Sequence, residues 1–166
     1  MVLTKSELIA SLQNEVRILL HLAGKVDGSN LDYRPTPKQR STLELLRYLG
    51  IMGPELVKYA LAESPTFDDW TKAEQASATR NLDEAIATIA GQAEHYKTLL
   101  AGVSDATFRS EMTDFDGSKT TRGSFIVNLV ICGSAAYRTQ LFLYLKASGQ
   151  ESLRTMNLWG GSDAKE

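Results

Sequence analysis

Cysteine and histidine are scarce in this sequence, which excludes one kind of fold and argues against one kind of site. The 166 residues include a single cysteine, Cys132, so a fold held together by disulfide bonds within the chain is excluded. The two histidines, His21 and His95, fall in different predicted helices near the edges of their apolar stripes. Because a metal site usually needs three or more convergent ligands, we interpret both as surface or packing residues and expect no bound metal and no cofactor. No histidine near Cys132 in sequence supplies a base for a nucleophile, so we expect that cysteine to be buried in the packing.

The common catalytic motifs are absent as well. The sequence contains no glycine-rich phosphate loop, no HExxH, no CxxC and no GxSxG. A net charge of −2 gives no general attraction for nucleic acid or anionic lipid. The first residues, MVLTKSELIA, lack a basic stretch followed by an apolar run, so we expect no secretory signal and a cytoplasmic protein.

One segment is apolar enough to be tested as a membrane span. Residues 125–145 contain a single charge, Arg138, and their length would suffice to cross a bilayer. A central charge and several polar residues are costly in lipid, whereas the central helix of a soluble bundle tolerates them. We therefore expect a bundle helix and no membrane.

Apolar residues recur at three- and four-residue spacing in four long segments, which predicts four amphipathic helices. We place these helices at about residues 5–23, 41–59, 80–101 and 121–148. Thr4 with Glu7, and Ser41 with Glu44, form capping boxes that begin the first two helices. The pair Gly53-Pro54 predicts a kink or short break in the second helix.

The connections are less regular. Residues 25–40 and 103–120 are predicted loops, and Thr71 with Glu74 would cap a short helix between them. The tail from Gln150 is expected to fold back through four apolar residues, Leu153, Met156, Leu158 and Trp159. No alternating strand pattern is present. The sequence therefore predicts an all-α protein, with residues 1–166 forming a single four-helix bundle domain.

An aromatic constellation is the most informative feature for function. Tyr48 lies on the apolar stripe of the second helix, and Gly133 and Tyr137 lie one turn apart on the fourth. A glycine in mid-helix costs about 1 kcal/mol relative to alanine, which suggests that a ring or a ligand approaches closely there. Two interpretations remain open: the tyrosines fill the core, or they line a small-molecule pocket.

Two stretches resemble the DinB/YfiT-like superfamily. Residues 31–37 (LDYRPTP), leading into 41–49 (STLELLRYL), are similar to its Arg-Pro loop and second helix. Residues 137–141 (YRTQL), with the end of the helix up to Gly149, are similar to its His-Arg-Gly-Gln-Leu segment. This resemblance implies an up-down-down-up four-helix bundle, often a homodimer, and a divalent metal held by three histidines. Characterised relatives include thiol transferases and a maleylpyruvate isomerase.

The resemblance also places the ligand positions of the family on residues that are not histidine. Tyr48 stands where the histidine of the second helix is expected, and Gly133 and Tyr137 stand where the pair on the fourth helix is expected. Glycine has no ligating side chain, and neutral tyrosine is a poor ligand beside imidazole.

Three hypotheses for the function follow. The first is a metal-free protein that binds a small ligand in the cleft between the second and fourth helices. The second is a homodimeric structural or interaction module without a small-molecule site. The third is an enzyme, related to the thiol transferases or the isomerase, that uses unusual ligands or one of the two tyrosines as an acid.

Overall fold

The computed structural model describes residues 3–163, which are mostly helical. Seven helices occur in this range: α1 (Lys5–Ala23), α2 (Thr42–Leu61), α3 (Asp68–Ser77), α4 (Leu82–Leu100), α5 (Asp105–Arg109), α6 (Arg122–Ala147) and α7 (Thr155–Trp159). Two short strands, β1 (Glu111–Thr113) and β2 (Lys119–Thr121), form an antiparallel hairpin. The four predicted helices correspond to α1, α2, α4 and α6, which confirms the all-α fold class.

Capping boxes begin the helices as predicted. The Thr4 hydroxyl accepts from the Glu7 backbone N–H at 3.2 Å, and the Glu7 carboxylate accepts from the Thr4 N–H at 2.8 Å. The Ser41 hydroxyl and the Glu44 carboxylate do the same for α2 at 3.3 and 2.7 Å. These bonds satisfy backbone donors that have no partner within the helix.

Side-chain contacts fix the direction of α1 relative to α4. The Lys5 ammonium donates to the Ala101 carbonyl at 2.9 Å, and the Gln13 amide donates to the Ala93 carbonyl at 2.8 Å. Residue numbers therefore rise along α1 as they fall along α4, so the two helices are antiparallel.

Helices α2 and α4 run in the same direction. Gly50 packs against Thr88, and three residues further along Gly53 packs against Tyr96. Within this interface the Gln92 amide donates to the Leu49 carbonyl at 2.7 Å, a buried hydrogen bond. A parallel pair that is consecutive in the bundle requires a long connection, which contains α3.

Helix α6 completes the bundle. Tyr137 meets Tyr48, and one turn earlier Gly133 meets Met52, so α6 runs antiparallel to α2 and parallel to α1. The four long helices thus have the up-down-down-up order that the family resemblance implied.

Two connections differ from the prediction. The segment expected to be a loop contains β1 and β2, whose three residues each are too few for alternation to be recognised in sequence. Helix α3 begins at Asp68, so the cap expected at Thr71 is wrong. The Thr71 hydroxyl instead lies inside the helix and donates to the Phe67 carbonyl at 2.9 Å, the common i−4 contact of a threonine in a helix.

Of the kink or short break expected at Pro54, the break does not occur, because α2 is continuous through it. Proline in a helix interior removes one hydrogen bond at a cost of about 3 kcal/mol. Met52, Leu56 and Val57 are buried on both sides of Pro54. Packing of this apolar surface against α4 and α6 offsets the lost hydrogen bond.

The expectation that Cys132 is buried is wrong, because the structure exposes it. Core positions of α6 nearby are Val130 and Leu141, and Cys132 lies off that stripe. Among the described residues, α6 is the one helix long and apolar enough to cross a membrane, with a mean hydropathy of 1.3 in an 18-residue window of which 22% is buried. The same helix packs against α1 and α2 and contains Arg138, whose side chain is 4% exposed.

The C-terminal tail folds back onto α1 as far as Asp163, the last residue described. Leu153 is buried, and the Arg138 guanidinium donates to the Leu158 carbonyl. Met156 and Trp159, however, are 48% and 68% exposed, so the prediction is wrong for these two side chains.

Candidate functional site

The structure brings two of the three predicted site residues into contact. Tyr48 comes from the second turn of α2 and Tyr137 from the middle of α6. Their ring centroids lie 4.9 Å apart in an edge-to-face arrangement, and their hydroxyl oxygens are 3.5 Å apart. This hydroxyl distance is long for an O–H···O hydrogen bond, so ring packing is the main attraction within the pair.

Gly133 lies one turn from this pair and faces Met52 instead of a tyrosine. A Cβ built on Gly133 would lie 3.7 Å from both the Met52 Sδ and Cε, an ordinary contact distance. Met52 is 2% exposed and fills the space in front of the glycine. The expectation that a tyrosine ring approaches Gly133 closely is therefore wrong, because the side chain near it is Met52.

Two further side chains enclose the ring of Tyr48. Trp70 of α3 packs its ring edge-on at a centroid distance of 5.9 Å. The guanidinium carbon of Arg40 lies 4.0 Å from the Tyr48 ring centroid, a cation–π geometry. Tyr48 and Tyr137 are both half-buried.

Burial raises the pKa of Tyr48 above its ordinary value of 10, and the nearby Tyr137 hydroxyl adds to the shift. The phenol hydroxyl is therefore neutral at physiological pH and acts as a hydrogen-bond donor or acceptor. A group whose pKa lies above 10 is poorly matched to proton transfer near pH 7.

The donor atoms at this place do not fit a divalent metal ion. Two neutral phenols and the Met52 thioether replace the nitrogen, carboxylate or thiolate ligands that such ions prefer. In residues 3–163 no group of three histidine, cysteine, aspartate or glutamate side chains is arranged to hold a metal. His21 instead contacts the buried Asn157 at 3.0 Å, and His95 is half-buried between α2 and α4.

Open space borders Tyr48 on the side of α3, away from Tyr137. We call this space the Tyr48 groove; it has a volume of about 290 Å³ and is lined by Arg40, Glu44, Arg47, Tyr48, Ile51, Glu74, Ser77 and Ala78. Its volume lies at the lower end of small-molecule sites. The first hypothesis placed the ligand between the second and fourth predicted helices, which are α2 and α6. In the structure Tyr48 and Tyr137 are in contact there, and the open space lies on the other side of Tyr48.

Sequence reasoning missed a π-helix immediately before this site. Residues Ile126–Ile131 of α6 are π-helical, and Cys132 and Gly133 follow directly. Such segments are rare in proteins, and those that occur are often found at functional sites. The five apolar residues among these six give no sign of it in sequence, because apolar side chains suit either helix type.

Comparison with solved structures identifies the fold. A crystal structure of the DinB-like protein YjoA from Bacillus subtilis superimposes with a TM-score of 0.64 at 15% sequence identity, covering 86% of this chain and 91% of that one. No family model matches the sequence, and no curated protein matches it. The protein has the DinB-like fold, which confirms the fold that the sequence resemblance implied.

Proposed function

We propose that this protein is a metal-free member of the DinB-like fold class that binds a small carboxylate in the Tyr48 groove. The observation that carries the proposal is the contact between Tyr48 and Tyr137, at positions where the resemblance implies metal-binding histidines. Phenol side chains, which are poor metal ligands, stand at those positions, and the open Tyr48 groove lies beside them.

The side chains of the groove suit a small anion. Arg40 and Arg47 supply two guanidinium groups, the donors that recognise carboxylates best. The Arg47 Nε–H donates a hydrogen bond to the Arg80 carbonyl at 2.6 Å. Glu44 and Glu74 also line the groove, so its four charged side chains balance, and the proposal depends on the two guanidinium donors, not on a surplus of positive charge. The Glu44 carboxylate is engaged by the Ser41 N–H and lies 3.4 Å from Arg34.

Trp70 gives a direct test, because it contacts the ring of Tyr48. In a Trp159→Phe background, Trp70 is the single tryptophan, and its fluorescence is titrated with benzoate and with succinate. We expect at least one of them to give a saturable change that Arg40→Gln weakens about tenfold, the loss expected for a charge-assisted hydrogen bond. Lys38→Gln, which removes an exposed charge from the same loop, is the matched control and should leave the titration unchanged.

The proposal fails if neither carboxylate changes the fluorescence at millimolar concentration, or if Arg40→Gln and Lys38→Gln behave alike. Circular dichroism of each variant establishes that the bundle is intact before the titrations are compared.

A homodimer is the second candidate, and one observation favours it. The described part of the chain leaves much of the apolar helix α6 uncovered, and Leu143 is 57% exposed. A second copy of this chain would cover such a face across a two-fold axis. Sizing at several concentrations tests this: a dimer that Leu143→Asp converts to a monomer supports it, and a strict monomer rejects it.

A further inference from the structure

A second cavity lies at the other end of α6, where its first turn meets α1 and α5. Its volume is about 330 Å³, larger than that of the Tyr48 groove. Four apolar side chains form much of its wall: Leu3, Leu8, Phe108 and Val127. We call it the α1–α5 cavity.

Local packing holds this cavity open. Gly123, in the first turn of α6, allows the backbone of α5 to approach closely, because a Cβ there would lie 3.1 Å from the Phe108 carbonyl oxygen. The Lys5 ammonium donates to the carbonyls of Ala101 and Val103 and so fixes the start of α1 against the end of α4. Most of the wall therefore consists of helix residues held by tertiary contacts.

The charged groups of the cavity favour an anion over a cation. Lys5, Arg109 and Asp105 line it, which gives a surplus of one positive charge among the described residues that do so. Arg109 is exposed, and its guanidinium makes no hydrogen bond or ion pair to the residues that the structure describes. A ligand carboxylate would give this guanidinium the partner that it lacks within residues 3–163.

From this combination we infer that the α1–α5 cavity binds a medium-chain carboxylate, with its apolar chain against Leu8, Phe108 and Val127 and its carboxylate at Arg109. At about 30 Å³ for each water-sized group, the volume accommodates roughly ten non-hydrogen atoms. Octanoate has that size. The site is independent of the Tyr48 groove, because the two cavities share no lining residue.

Octanoate is the probe, and binding is followed by heteronuclear NMR of the full chain. We expect saturable shifts of residues in the first turns of α1 and α6, with octan-1-ol binding more weakly and octylammonium most weakly. Val127→Phe fills the cavity and should abolish saturation by all three compounds. NMR shifts report each site separately, so shifts in α1 and α6 do not depend on whether a carboxylate binds in the Tyr48 groove, and failure here is distinguishable from failure there.

Three exposed-charge variants test the role of Arg109 without disturbing the core. Arg109→Gln should weaken octanoate about fivefold, the upper range for an exposed ion pair, and leave octan-1-ol unchanged. Asp105→Asn should strengthen octanoate, and Lys72→Gln, an exposed charge on α3, should have no effect. The inference is overturned if octanoate shows no saturable binding to folded protein, or if it binds Val127→Phe or Arg109→Gln as tightly as the wild type.

Discussion

Two glycines in the middle of long helices are predicted to respond in opposite ways to the same substitution. Gly53 of α2 faces Tyr96, and a Cβ on Gly53 would overlap the Tyr96 hydroxyl oxygen and lie 3.1 Å from Cζ. Tyr96 is 2% exposed, so its ring has no solvent to move into. Gly133 of α6 has ordinary contact distances to Met52 and no such obstruction.

The magnitudes follow from these distances. Overpacking a core costs about 1–3 kcal/mol, and Gly→Ala in a helix gains about 1 kcal/mol. Because the overlap at Gly53 is severe, we expect Gly53→Ala to lower the free energy of unfolding by about 2 kcal/mol. Gly133→Ala should raise it by about 0.5–1 kcal/mol.

Urea denaturation measures both changes, and Tyr96→Phe identifies their cause. Removing the hydroxyl leaves Cζ as the nearest ring atom, so the cost of Gly53→Ala in the Tyr96→Phe background should fall below about 1 kcal/mol. Destabilisation by Gly133→Ala, or an equal cost of Gly53→Ala with and without the Tyr96 hydroxyl, would refute the packing described for α2, α4 and α6.

Three further predictions concern the ion pair, the helix cap and the three positions where the family resemblance implies metal ligands. Arg138→Leu should lower the free energy of unfolding by about 3 kcal/mol, because it leaves the Glu15 carboxylate, 3.2 Å from Arg138, without its buried partner. Tryptic cleavage in the C-terminal tail of this variant should be faster than in the wild type. The Ser41 backbone N–H holds the pKa of Glu44 below 4.5, so the cap's contribution to stability is present above that pH and is lost as the pH falls through the lower folded value. Denaturation at pH 7 and pH 3 should show a smaller pH dependence for Glu44→Gln than for the wild type. A triple variant places histidine at the three positions where the family resemblance implies it, through Tyr48→His, Gly133→His and Tyr137→His. Nickel should raise the melting temperature of this variant and leave that of the wild type unchanged.

Local signals in the sequence predicted most of the fold. Capping boxes at Thr4 and Ser41 are contained within four residues, so the starts of α1 and α2 were found within one residue. Continuity of α2 through Pro54 depends instead on packing against two other helices, which no local pattern records. The exposed position of Cys132 likewise depends on how α6 is turned against the bundle after its π-helical segment.

The candidate site was predicted in part. Spacing along the second and fourth predicted helices indicated that Tyr48 and Tyr137 share the interior, and they are in contact. The Tyr48 groove was not predicted, because its other wall comes from α3, whose position is set by contacts such as that of Trp70. Gly53 and Tyr96 were missed as a pair for the same reason: their contact joins residues far apart in the chain.

Metal content tests directly whether this protein lacks the divalent ion that the family resemblance implies. Protein prepared without a metal-binding tag is dialysed against nickel, zinc and manganese, freed of excess ion, and analysed by mass spectrometry of the elements, with the triple histidine variant as the positive control. We predict far less than one metal ion per chain for the wild type and about one for the control. One tightly held metal ion per wild-type chain, lost on replacing Tyr48 and Tyr137 by phenylalanine, would contradict the account.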